Sequence, residues 1–503
     1  MTVTQTGPTI VYGGPFSDAT LTDTGNALRL VERHGEMVRY VPDRGQGEWL
    51  MWDGTRWRPD VLGEVTELAK ETAESIYLEV HEGLLYHGWT PDEADVGYRW
   101  ARQSLNAHKL TAMLKTAQTV PAVALEAKRL DTHDWLLPCT NGTLDLRTFE
   151  LRPADPADYM TKSTGIGYDK DAHLSPVSEQ FLEDITCGDE DLEEYLQKIL
   201  GYTTTGDTSR RLVFFLHGPE GRNGKSTFLE QVRYILGDFA KLVPMETLEK
   251  QARSRGGGAA TPDITALRGA RFVTASETES DMQLSAARFK NLAGNEYVYE
   301  RGLYSKAGEY KPNFKMYLAT NYRPNIPARD SSVWDRLRII PFNYRADEKQ
   351  VDTELPEKLR ADAVAWLTWM VAGLYLISTD GLTDPQAVRD ASQNYRKDMD
   401  TFGDFLLWLP EYVEDIKSSY TAVPFSYELG ATHKLYAEQA KLNGWEQLDV
   451  KRFSELMVNA GYTKTSNYPK RWKLRLGVTA QPHYKTIGEL QALASGYVED
   501  DGT

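Results

Sequence analysis

An apolar run, Leu212-Val213-Phe214-Phe215-Leu216, passes directly into His217-Gly218-Pro219-Glu220-Gly221-Arg222-Asn223-Gly224-Lys225-Ser226-Thr227. Behind it Phe228, Leu229, Val232, Ile235 and Leu236 recur on one helical face until Gly237. Strand, glycine-rich loop and helix in that order leave few folds open, and they are the context a phosphate-binding loop requires. Glycines let backbone N–H groups turn inward around phosphate oxygens, and the helix N-terminus adds its positive dipole. The candidate contacts for ATP are Gly218, Gly221, Asn223, Gly224, Lys225, Ser226 and Thr227. Lys225 is suited to the β- and γ-phosphates, and the Ser226 hydroxyl to Mg²⁺. Five residues separate Gly218 from Gly224, where the usual spacing is about four. Either the loop is one residue longer, or Pro219 takes the first consensus position.

Three further apolar runs, at 272–275, 315–319 and 338–341, alternate with helical patterns, which is the signature of an α/β sheet. The first runs into Ser276-Glu277-Thr278-Glu279. An acid at a strand end can hold Mg²⁺ or polarise an attacking water, which makes Glu277 and Glu279 candidates. The second ends in Thr320-Asn321, and an amide there can orient the lytic water. Arg336 and Arg338 flank the start of the third. An arginine supplied across a subunit boundary stabilises charge on a phosphoryl group in transfer.

Outside this core the signals are coarser. Length alone, 503 residues, suggests about three domains. Asn26 is a candidate cap for a first helix, 39–57 suggests short strands around Asp53-Gly54, and 65–127 is mostly helical with a break near Gly88. Residues 181–200 suggest one amphipathic helix ended by Gly201. The apolar stretch 363–377 is shorter than the ~20 residues of a membrane span, so a buried helix is expected. No Lys or Arg precedes Arg29, so no secretory signal is expected, and the chain is read as cytoplasmic with no membrane partner. The two cysteines, Cys139 and Cys187, cannot build a disulfide framework or a four-cysteine zinc site. A net charge of −16 means that any nucleic-acid contact must be a local basic patch.

Taken together these blocks resemble the superfamily 3 helicases, in the branch of phage and plasmid primase-helicases related to the poxvirus primase-helicase. The resemblance runs from about Thr22 through Thr24-Gly25-Asn26-Ala27, Trp52-Asp53-Gly54-Thr55-Arg56-Trp57, Asn141-Gly142-Thr143-Leu144-Asp145-Leu146, Leu200-Gly201-Tyr202 and Thr205-Gly206-Asp207. It is most specific in Asn223 to Thr227, Ala275 to Glu279, Leu318 to Asn321 and Trp334 to Phe342. It implies an AAA+-like parallel-sheet ATPase core at 177–346, after a flexible leader at 1–21 and a mostly helical α+β domain at 22–176. A helical segment at 347–425, a winged-helix-like domain at 426–480 and a tail at 481–503 complete the expected order. By the same resemblance Glu277, with or without Glu279, is the acidic motif, Asn321 the polar sensor and Arg336 a finger acting in trans. The implied partners are single-stranded and forked DNA, further copies of the chain in a hexamer, and a separate primase or polymerase. Fewer than thirty residues precede the first block, so no polymerase-like primase domain is expected ahead of it.

Two strands around Tyr304-Ser305-Lys306-Ala307-Gly308 resemble the family's pore hairpin. A ring that stacks on a base and an ammonium that meets a phosphate suit single-stranded DNA. From Ala431 to Ala480 there are nine Lys or Arg against four Asp or Glu. Two helical patterns there precede a basic hairpin with Lys464, Lys470, Arg471 and Lys473, which resembles a winged-helix DNA-binding module. Three functions are consistent with this reading: an ATP-driven replicative DNA helicase, an initiation factor whose ATPase serves assembly only, and a small-molecule kinase.

Overall fold

In the computed structural model the described residues are 20–218, 221–248, 262–276, 285–294, 296–300, 308–320, 331–347 and 352–399. Beyond these come 405–406, 409, 425–443, 445, 447–459, 463–464, 471–473 and 485–486. They form two compact units that divide between Gln393 and Asn394.

The first unit opens with α1 (Asp23–His34), capped by the Thr22 hydroxyl, which accepts the Gly25 N–H at 3.0 Å. Thr22, not Asn26, is therefore the cap. Asn26 lies inside the helix, fully buried, where its amide donates to Ser104 Oγ at 2.8 Å and accepts from Trp100 Nε1 at 3.0 Å. A buried amide with both ends satisfied fixes how helices meet. The sheet β1 (Val38–Val41), β2 (Glu48–Trp52), β3 (Trp57–Pro59) follows, and Asp53 Oδ1 accepts from the Thr55 and Arg56 N–H groups in the expected turn. Then come α2 (Glu64–Tyr86), α3 (Pro91–Ser104) and α4 (Ala107–Ala117), and a second antiparallel sheet of β4 (Leu136–Cys139), β5 (Gly142–Asp145) and β6 (Glu150–Arg152).

The expected helix over 181–200 is two helices, α5 (Pro176–Thr186) and α6 (Glu190–Thr204). The chain turns between them through Cys187 and Gly188, both at positive φ, and Asp189 caps α6 through the Leu192 N–H. Gly201 does not end α6. It lies inside the helix, where an added Cβ would sit 2.3 Å from the Leu374 nitrogen of α12 (Ala363–Asp380). Gly373 faces back with 2.1 Å to the Gln197 carbonyl oxygen, so two glycines let these helices cross at backbone contact. By length and composition α12 could cross a membrane, but Trp366, Leu367 and Met370 are buried in the core cluster of the unit.

The core is an all-parallel five-stranded sheet of β7 (Val213–His217), β8 (Ala240–Pro244), β9 (Phe272–Ser276), β12 (Lys315–Thr320) and β13 (Leu337–Pro341). Its spatial order is β13-β7-β12-β9-β8. The connections carry α7 (Lys225–Leu236), α8 (Pro262–Thr265), α9 (Ala286–Leu292), the antiparallel pair β10 (Val298–Glu300) and β11 (Gly308–Tyr310), and α10 (Ser331–Trp334). Helices on the faces of a parallel sheet leave no wet side, which is why β7 is an unbroken apolar run. Phe214 and Phe272 meet Tyr317 of the central strand at ring distances of 4.9 and 4.8 Å. Beyond β13 come α11 (Leu355–Ala361), α12 and α13 (Gln386–Asp398), within the expected helical stretch, of which 410–424 lie outside the described residues.

Two buried cations sit where β9 and β12 begin. Arg271 donates to the carbonyls of His133 at 3.1 Å, Leu136 at 2.6 Å and Thr204, and stacks over Phe239. Burial pulls its guanidinium down to about 10, against the opposing pull of Asp134 and Asp131. Lys315 donates to the Thr205 carbonyl at 2.7 Å; burial and the neighbouring Arg271 hold its ammonium well below the usual lysine range. These cations tie the carboxyl end of α6 and the 133–136 segment to the sheet. Arg271→Met is therefore expected to cost about 3 kcal/mol or more, because three carbonyls, that of Thr204 buried, lose a buried charged donor together. Urea unfolding measures it, and a loss below about 1 kcal/mol would reject the assignment.

The second unit contains β14 (Phe425–Glu428), α14 (Leu429–Asn443), α15 (Val450–Asn459), β15 (Thr463–Lys464), β16 (Arg471–Lys473) and β17 (Lys485–Thr486). Phe405, Leu435, Tyr436, Phe453 and Met457 form its core. β16 pairs antiparallel with both β15 and β14 in one short sheet.

Candidate nucleotide-binding site

The glycine loop leaves β7 at the carboxyl edge of the sheet, beside both neighbouring strand ends. His217 is level with Thr320 and with Pro341, and Ala319 is level with Ser276. In parallel α/β sheets, ligands bind outside this edge. Glu277 and Asn321 are the residues next in the chain after Ser276 and Thr320. Glu277, Glu279 and Asn321 themselves lie outside the described residues, as do Tyr304, Lys306 and Lys470.

Two glycines of the loop have a steric reason. Gly224 has φ +82°, and a Cβ there would lie 2.5 Å from Ile185 Cγ2, so position and conformation both demand glycine. A Cβ on Gly218 would lie 2.2 Å from the Phe342 carbonyl oxygen and 2.4 Å from Asn223 Nδ2. Gly221 meets nothing within 4 Å, so the space beside it is open. Gly218 is thus sterically fixed as the first glycine, which favours a loop one residue longer than usual over a start at Pro219. Arg222 adopts φ 63°, and its carbonyl accepts the Ala346 N–H at 3.0 Å. The segment after β13 therefore braces the loop at Gly218 and at Arg222.

Helix α7 begins at Lys225 behind Gly224, which has no side chain to cap it. The first N–H groups of a helix lack intrahelical acceptors, so those of Lys225, Ser226 and Thr227 are directed at the open edge. Asn223 and Lys225 are each 5% exposed, whereas Ser226 is exposed. A cradle that excludes side chains at Gly218 and Gly224 and opens a helix at Lys225 fits a nucleotide phosphate.

Arg336 lies elsewhere. It precedes β13, whose first residue, Leu337, is level with Val213, so it stands at the amino edge of the sheet. Five strand residues, about 16 Å, separate that edge from the loop. Its Nη1 donates to the Lys290 carbonyl at 2.9 Å. The structure does not bring Arg336 to the Lys225 of its own chain. Arg338 is held by Asp384 at 2.6 Å, which also accepts from the Tyr195 hydroxyl at 2.8 Å.

The strands β10 and β11 pair as expected on either side of the 304–306 segment. Sequence reasoning did not single out Tyr297 and Tyr299, which are 68% and 55% exposed while Val298 between them is buried. The alternation Tyr-Val-Tyr was the available signal. In the second unit Lys464 pairs with Trp472 and Arg471 with Glu428, and Lys473 pairs with Thr463.

Residues 27–187 match a "D5 N terminal like" family and residues 216–336 a family of unknown function, DUF5906. The chain is 27% identical over 299 residues to "Putative helicase L207/L206" of Acanthamoeba polyphaga mimivirus, covering 56% of this chain and 31% of that protein. It is 28% identical over 236 residues to "Putative helicase 022R" of Frog virus 3 (isolate Goorha), covering 43% and 24%. The chain thus spans about a third or less of the length of these curated relatives. In fold it is similar to the apo structure of the NrS-1 C terminal region (305–718), with a TM-score of 0.52 at 10% identity, over 89% of this chain and 99% of that one. The chain thus carries a D5 N terminal like domain, is related in sequence to viral proteins named putative helicases, and shares the α/β fold of that C terminal region.

Proposed function

We propose that the chain is an ATP-dependent DNA helicase of phage or plasmid replication, acting as a ring of copies on single-stranded DNA. The observation that carries this reading is the opposition of two edges. The phosphate loop opens at the carboxyl edge of the sheet, and Arg336 stands at the amino edge, about 16 Å away. Such a split site is completed when the Arg336 edge of one copy meets the loop edge of the next.

In this reading Lys225 and the N–H groups of the 218–227 loop bind the ATP phosphates. Ser226 and Glu277 would hold Mg²⁺, which supplies neutralising charge at the phosphate oxygens. Glu277 or Glu279 polarises the attacking water and Asn321 orients it. Tyr304 and Lys306 contact the strand in the ring, with Tyr297 and Tyr299 extending an aromatic track along the same hairpin. Lys464, Lys470, Arg471 and Lys473 supply a second contact to DNA from the winged-helix-like unit.

The test is strand displacement on a forked duplex with ATP and Mg²⁺, together with the mass of the assembled particle. ATP-dependent displacement by an oligomer supports the reading. DNA-stimulated hydrolysis without displacement would make the protein an assembly factor, and hydrolysis indifferent to DNA would reject both.

A further inference from the structure

We propose that a cavity on the α2–α4 side of the first unit is an additional binding site for single-stranded DNA, holding a base against Trp49. This rests on the reading that the chain acts on DNA. The cavity has a volume of about 530 Å³, within the range of pockets that enclose ligands of nucleotide size. Trp49 of β2 lines it with Leu110 and Leu114 of α4, and Tyr40 backs the indole at a ring distance of 5.2 Å.

Its charge is the telling feature. The chain carries 73 acidic residues and a net charge of −16, yet the lining holds Lys70 and Lys115 and no carboxylate. Thr66 and Lys70 are one turn apart on α2, and Thr111 and Lys115 one turn apart on α4, so each wall presents a hydroxyl and an ammonium. Lys70 is shared with Glu67 at 2.7 Å, whereas Lys115 has no ion-pair partner among the described residues. A half-buried indole favours a flat base. Ammonium groups meet phosphate as point charges, without the fork geometry that arginine offers a carboxylate. Aromatic surface, two point cations and neutral hydroxyls match one nucleotide of a strand better than an acidic peptide.

Irradiating the full chain with an oligothymidylate carrying 5-bromodeoxyuridine is expected to crosslink the peptide that contains Trp49. Ala107→Trp, at an exposed position of the lining, should fill the cavity and abolish that crosslink. Lys115→Gln should weaken oligonucleotide binding and make the slope of log affinity against log salt shallower by about 0.7. A wild-type chain that binds the oligonucleotide without a crosslink in the cavity, with both variants binding equally well, would overturn the proposal and leave the helicase reading standing. A wild-type chain that binds no DNA at all would overturn both. Protection of Lys115 from acetylation by an acidic peptide and not by the oligonucleotide would assign the cavity to a protein partner, against the proposal.

Discussion

Lys225→Ala is expected to lower ATP hydrolysis by at least about a hundredfold while leaving the fold in place. Lys225 is 5% exposed at the first position of α7. Contacts elsewhere in the chain hold the loop in shape. It is held by the close approach of Gly218 to Phe342, the Arg222–Ala346 hydrogen bond and the packing of Gly224 on Ile185. Truncation therefore removes a β/γ-phosphate contact without opening a packed core, and circular dichroism with an unfolding midpoint checks the second half of the claim. Hydrolysis at the wild-type rate in a folded variant would sink the nucleotide assignment.

Arg336→Ala is expected to lower turnover by roughly a thousandfold while ATP binding is largely kept, because the guanidinium matters only as the γ-phosphoryl group gains charge. Its hydrogen bond to the Lys290 carbonyl is worth about 1.5–3 kcal/mol, so the fold should survive. The distance from its own loop makes a stronger prediction. A chain with Arg336→Ala still has a sound phosphate loop, and a chain with Lys225→Ala still has its arginine. Mixing the two should restore hydrolysis at the shared interface, measured across mixing ratios. Mixed oligomers that form and never exceed the separate variants would refute action in trans. Arg338 is a poor substitute, since Asp384 already holds it at 2.6 Å.

The parallel core was legible because buried strands are mostly apolar, and four of the five β-strands stand in the sequence as such runs. The missing one, Ala240–Pro244, is an edge strand with Leu242 54% exposed and Lys241 within it, so it carries no apolar signature. The helix boundaries were less legible because capping is local geometry. Thr22 and Asn26 are both good cap residues by type, and only packing against Trp100 and Ser104 put Asn26 inside. Gly201 reads as a helix end by propensity, yet the tertiary crossing with Gly373 requires it within α6.

The sequence by itself determined the strand–loop–helix unit, the alternating α/β order and the residue types of the candidate site. Each follows from short-range chemistry: glycine conformations, helical spacing and the desolvation of buried strands. Only the tertiary structure decided that strand ends more than forty residues apart lie level at one edge, and that Arg336 belongs to the opposite one. It also placed Arg271 and Lys315 in the interior, where two cations bond to carbonyls from segments far away in the chain. Strand order and register are set by which long-range pairings bury the most surface with every polar group satisfied, and no local pattern encodes that competition.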